Sequence, residues 1–210
     1  MAAPKPLVFV GDDDIALRDS LESLIVNAGW RVALFSCAAE FLANARPPPS
    51  PSCLVLDVGL PDLNGLELQQ RIVSERADMP IIFITGRGDI PMTVQAMKAG
   101  AVEFLTKPFT PAVLLHAIQS ALERSRACLE EEAKLNALRD RYQTLSHRER
   151  EVMALVVRGL LNKQVSGELG ISEITVKQHR GRMMRKMRTR SLPELVTIAA
   201  RLGLVTAGKG

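Results

Sequence analysis

The chain has 210 residues, 47% hydrophobic and 24% charged, a globular balance that excludes wholesale disorder and fibrous architecture and suits two domains. No apolar run approaches the roughly 18 residues of a bilayer span, and the run 7–10 is too short for a signal-peptide core, so neither membrane nor export is expected. The net charge of +4 hides an asymmetry: residues 1–110 carry 9 basic and 13 acidic side chains, whereas residues 143–210 carry 13 and 5, a net +8. That back segment has the charge of a nucleic-acid binder, and with aromatics at only 4% duplex DNA is a better target than unpaired bases. Cys37, Cys53 and Cys128 are far apart, with no CxxC or Cys/His cluster. This predicts a reduced, cytoplasmic setting without a zinc site or disulfide framework.

In chain order, β-rich runs at 7–10, 31–35, 53–56, 81–85 and 102–105 alternate with helical stripes. Leu17, Leu21, Leu24, Ile25 and Ala28 form the first stripe, ended by Gly29; Ala38, Phe41, Leu42 and Ala45 form the second, ended by the proline-rich stretch 47–51. Leu68 and Ile72 follow Gly65, residues 92–97 follow Pro91, and a fifth helix begins after Pro111. Five successive βα units predict an α/β fold, a five-stranded doubly wound parallel sheet with strands buried on both faces. Residues 111–145 read as one long helix, since after Pro111 at its start no Gly or Pro interrupts it. Its apolar stripe slips phase after Leu129, which favours a helical spacer over a dimerising coiled coil. The last 65 residues predict an all-α domain of four short helices, with capping boxes at Ser146–Glu149 and Ser191–Glu194, a cap at Asn162 and another at Ser172. The second and third form a helix-turn-helix. The expected boundaries are 1–125, a linker over 126–142, and 143–210.

The polar residues of the front half fall at strand ends: Asp12, Asp13 and Asp14 after the first, Asp57 at the third, Thr85 at the fourth, Lys107 after the fifth. Open α/β sheets put their sites there. Converging Asp12, Asp13 and Asp57 would repel and call for a cation, and an oxygen-only set suits Mg²⁺. A lysine and a hydroxyl beside them complete the inventory for phosphoryl transfer to a carboxylate. Asp14 reads as a helix cap instead.

These residues resemble the receiver domain of two-component response regulators, through Val10-Gly11-Asp12-Asp13-Asp14, Leu54-Val55-Leu56-Asp57, Leu60-Pro61, Asn64-Gly65, Ile84-Thr85-Gly86 and Phe104-Leu105-Thr106-Lys107-Pro108-Phe109. The stretch 88–101 is similar to the FixJ branch. The resemblance implies that Asp57 accepts phosphate from a sensor histidine kinase. It implies that Asp13, Asp57 and the Gly59 carbonyl bind Mg²⁺ with Asp12 acting through water, that Thr85 and Lys107 hold the phosphoryl oxygens, and that Phe104 reports the position of Thr85. Gly11 departs from the apolar residue usual there. An aspartyl-phosphate phosphotransferase with an incidental basic tail is the alternative, but a dehalogenase-like enzyme needs an acid where Gly59 stands. On this reading the chain is no enzyme beyond self-dephosphorylation.

Stepped at about 100° per residue, Val176, Met183 and Met187 share one side of the third tail helix, with His179 nearby. Ile174, Lys177, Gln178, Gly181 and Arg185 lie opposite, flanked by Thr175 and Arg182. A basic face opposite a core stripe suits a major groove. Segment 145–202 resembles the LuxR-type helix-turn-helix of FixJ/NarL regulators, through Leu145-Ser146-His147-Arg148-Glu149, Gly159-Leu160-Leu161-Asn162-Lys163-Gln164-Val165, Leu169-Gly170-Ile171-Ser172 and Thr175-Val176-Lys177-Gln178-His179-Arg180. The resemblance implies base reading by Lys177 and Gln178, and backbone contacts by Asn162, Lys163 and Thr175. The arginines, Arg182 and Arg185 among them, reach phosphates. Gly181 departs from the polar residue frequent there, which removes one direct base contact. The expectation is a cytoplasmic transcription activator that dimerises on phosphorylation and meets RNA polymerase. A phosphorylation-independent DNA binder with a relic acid pocket is the other alternative, against which the complete Asp/Thr/Lys set weighs.

Overall fold

A computed structural model describes residues 4–44, 50–76, 78–86 and 90–204. Ala45, residues 47–49, Gly88 and Asp89, all invoked above, lie outside the described residues. The chain divides into two compact units, 1–130 and 131–210.

In the first unit β1 (Leu7–Gly11), α1 (Ile15–Asn27), β2 (Arg31–Phe35), α2 (Ala38–Asn44), β3 (Ser52–Asp57), α3 (Gly65–Glu75), β4 (Ile81–Thr85), α4 (Ile90–Lys98), β5 (Glu103–Thr106) and α5 (Pro111–Gln143) alternate strictly. The strands pair in the order β2-β1-β3-β4-β5, all parallel, with Gly11 opposite Leu56 and Asp57 opposite Ile84. Strand alternation sorts the apolar side chains onto two faces. Phe9, Leu54, Leu56, Ile81 and Phe83 pack with Phe41, Leu68 and Ile72 from α2 and α3. Val8, Val10, Val55, Ile82 and Ile84 pack with Leu21 and Ile25 of α1 and Leu114, Ile118 and Leu122 of α5. Both faces are covered, as β1, β3 and β4 require, being buried at every residue.

In the second unit the last turns of α5 contribute Leu138 and Tyr142 to a core shared with α6 (His147–Val156), α7 (Asn162–Leu169), α8 (Glu173–Met187) and α9 (Leu192–Arg201). Capping sets the helix starts. Ser146 and Glu149 form a reciprocal capping box at α6. Ser172 caps α8 by accepting from the Thr175 N–H at 3.1 Å. Gly170, left-handed at φ 64°, ends α7 and turns the chain into α8. Two sequence expectations need correction. The N-cap of α7 is Leu161, whose N–H donates to Gln164 Oε1 at 2.8 Å, and Asn162 is the first helical residue. At α9 Glu194 accepts from the Arg190 N–H at 2.9 Å, one residue ahead of the cap, so Ser191 caps without the reciprocal bond.

Candidate functional site

The strand order reverses direction between β1 and β3, and such a sheet places ligands beyond the carboxyl ends of these strands. Asp12 and Asp13 leave β1 there, and Asp57 ends β3. One carboxylate oxygen from each of Asp12, Asp13 and Asp57 lies within 4.8 Å of the others. Asp12 and Asp57 are buried and Asp13 is exposed. Beyond β5, the Lys107 N–H donates to the Thr85 carbonyl at 2.7 Å. The Lys107 ammonium lies 2.7 Å from Asp12 Oδ2 and 3.7 Å from Asp57 Oδ2.

One lysine therefore faces three carboxylates. Burial pushes the Asp57 carboxyl above its ordinary value, and the Asp12 and Asp13 charges push the same way; Lys107 and the Gly59 N–H, which donates to the carboxylate, oppose this. The surplus negative charge and the oxygen-only donors fit a hard divalent cation such as Mg²⁺. Thr85 is buried at the end of β4. The half-buried Phe104 ring lies 6.2 Å from that of Phe83. Asp14 stands apart as the N-cap of α1, accepting from the N–H groups of Ala16 at 2.9 Å and Leu17 at 3.3 Å.

In the second unit α7, a tight turn and α8 form a helix-turn-helix. Val176, Met183 and Met187 are fully buried, which fixes the rotation of α8 and leaves Lys177, Gln178, Arg182 and Arg185 exposed. Lys163 is exposed on the first turn of α7. Two of the expected DNA contacts also serve the fold. Asn162 Oδ1 accepts from the Arg180 guanidinium at 3.0 Å, tying α7 to α8, and the Thr175 hydroxyl lies 2.8 Å from that of Ser172.

A family model for the response regulator receiver domain matches residues 8–119, and one for the luxR family of bacterial regulatory proteins matches residues 143–199. The chain belongs to the two-component response regulators that join these two domains. Nodulation protein W of Bradyrhizobium diazoefficiens is 50% identical over 203 residues, 97% of this chain and 89% of that protein. The transcriptional regulatory protein FixJ of the same organism is 42% identical over 198 residues, 94% of this chain and 96% of its own length. The solved response regulator StyR superposes with a TM-score of 0.81 at 45% identity, covering 94% of this chain and all of that one.

Several contacts within the receiver and within the LuxR-type domain carry no sequence signal. In the receiver the Arg18 guanidinium donates to the Asp12 carbonyl, tying α1 to the end of β1. Asp62, in the loop after Asp57, accepts from the N–H groups of Ala38 at 2.9 Å and Ala39 at 2.8 Å, and so closes the N-terminus of α2. In the LuxR-type domain the buried Glu149 carboxylate lies 2.6 Å from Lys186 Nζ, joining α6 to α8. Burial raises the Glu149 carboxyl, but Lys186 and the Ser146 N–H together hold it below the ordinary carboxylate range. Among the described residues no helix is long and apolar enough to cross a membrane.

Proposed function

We propose that Asp57 is the residue through which a sensor histidine kinase controls this regulator. The observation that carries the reading is the position of Asp57 at the end of a central buried strand, against two further carboxylates and Lys107. An Asp57 carboxylate oxygen attacks the phosphorus of the phosphohistidine, an O–P bond forms as the N–P bond breaks, and the imidazole leaves. Asp13, Asp57 and the Gly59 carbonyl would hold Mg²⁺, with Asp12 acting through water, and a bound ion would supply positive charge against the incoming phosphoryl group. Lys107 neutralises the phosphoryl charge from the other side and Thr85 donates to a phosphoryl oxygen. The movement of Thr85 is followed by Phe104. The chain acts as a phosphoacceptor rather than an enzyme with an external substrate.

Phosphorylation then pairs two copies through α4, β5 and α5, a reading supported by exposed Ile90, Val94 and Met97 on α4. Receiver residues 1–125, the linker 126–142 and the DNA-binding domain 143–210 divide the work. In the last of these Lys177 and Gln178 read base edges, while Asn162, Lys163, Thr175, Arg182 and Arg185 hold the phosphate backbone. The dimer acts in the cytoplasm as an activator that engages RNA polymerase. The test is labelling by a small phosphodonor with Mg²⁺: Asp57→Asn should abolish it, and strong residual labelling refutes the assignment.

A further inference from the structure

Much of α8 lies outside the core, and one of its exposed residues, Ile174, is a large aliphatic side chain. Ile174 is the second residue of the helix and 69% exposed. At about 100° per residue it lies roughly 160° from Val176, between Lys177 and Gln178 in rotation. It is thus an aliphatic side chain on a face otherwise supplied by Lys177, Gln178 and Arg185, all exposed. Gly181, two turns further on the same face, has open space where a Cβ would stand, so nothing inside the fold asks for glycine in mid-helix.

We infer that Ile174 reads the 5-methyl group of a thymine in the major groove. The inference rests on the DNA-binding reading above and deepens it. The first turn of a recognition helix is the part that meets base edges. The major-groove edge of thymine is the one that carries a methyl group, which an aliphatic side chain recognises by excluding water. The cations around Ile174 bring the duplex to this face, and the missing side chain at Gly181 lets the groove wall approach it.

The experiment uses the full chain treated with a small phosphodonor. Bound duplexes are selected from a random-sequence pool, and each thymine of the enriched sequence is replaced singly by deoxyuridine, which removes the methyl alone. One thymine in each half-site should lose about fourfold in affinity, the worth of one buried carbon. Ile174→Ala should bind the thymine and deoxyuridine duplexes equally at that position, and Ile174→Val should keep most of the discrimination. If wild type and Ile174→Ala give the same deoxyuridine profile, or if Ile174→Ala weakens every duplex alike, the assignment is overturned. A changed oligomeric state in Ile174→Ala with an unchanged profile also overturns it, in favour of a contact between copies. If no duplex is enriched at all, the DNA-binding reading fails first and this inference falls with it.

Discussion

Gly65→Ala isolates a close approach on which the acid pocket depends. Gly65 is the first residue of α3, capped by Asn64, and a Cβ at this position would stand 2.9 Å from the Asp57 carbonyl oxygen, 3.0 Å from Val58 Cα and 3.1 Å from Phe83 Cε1. Two of these neighbours are backbone, and Phe83 is fully buried. To restore an ordinary contact of 3.4 Å, α3 or the Asp57 peptide must retreat by 0.5 Å. Overpacking of this kind costs about 1–3 kcal/mol, which for a domain of this size lowers the melting midpoint by roughly 4–15 °C. The same displacement reaches Asp57 itself. At about 10²-fold per ångström of misplacement, phosphorylation should slow about tenfold. Trp30 is the chain's one tryptophan and packs in the receiver core, so its fluorescence reports receiver unfolding without interference from the second domain. Gly86→Ala is the control, since a Cβ there meets nothing within 4 Å. If Gly65→Ala melts within about 1 °C of wild type while labelling at the wild-type rate, the close-approach argument is refuted.

Asp57→Asn should raise the Trp30-reported midpoint by a few degrees, because Asp57 is held above its ordinary value by burial and by its acidic neighbours and so carries a cost when charged at pH 7; a lowered midpoint counts against that view. Glu149→Gln should lower the stability of the LuxR-type domain by about 1–2 kcal/mol at pH 7 by removing the buried negative charge that faces the Lys186 ammonium at 2.6 Å. Because the folded-state value of Glu149 is depressed, its contribution is complete above about pH 4.3, the unfolded value, and is lost as pH falls through the lower folded one. Urea unfolding followed by far-UV circular dichroism should therefore show the two proteins converging below pH 4. Arg188→Gly should stabilise the same domain by up to about 1 kcal/mol, since Arg188 caps α8 in the left-handed region at φ 55°, and a lower midpoint would contradict the strain. Lys177→Ala should cost about 1–3 kcal/mol on a selected duplex and less on a scrambled one, whereas Lys163→Ala should weaken both alike; equal losses for Lys177→Ala make it a phosphate contact.

The sheet is legible because its strands are short, apolar and separated by turn signals, and the site because acids, a hydroxyl and a lysine fall together at four strand ends. The boundaries slipped where function enters a strand. β3 runs to Asp57 and begins at Ser52, two polar residues that apolar patterning leaves out. Asn is a strong N-cap by itself and so points to Asn162 as the cap of α7, yet Gln164 takes the N–H of Leu161. This frees Asn162 to bind Arg180, 18 residues away. The Asp62 bond to α2 spans 24 residues and the Glu149–Lys186 pair spans 37. Such pairings depend on how helices pack, and no local spacing encodes them.

A different kind of signal survives on α8. Ile174 is exposed although apolar, Gly181 weakens the helix in its middle, and Arg188 holds a backbone conformation suited to glycine. Gly181 and Arg188 work against the stability of the isolated domain, and alanine and glycine respectively would relieve it; Ile174 adds nothing to the core. By rotation Ile174 and Gly181 lie within about 60° of Lys177 and Gln178. Residues poor for folding would scatter around a helix under selection for stability alone. Their concentration on one side is what a surface retained for a ligand predicts.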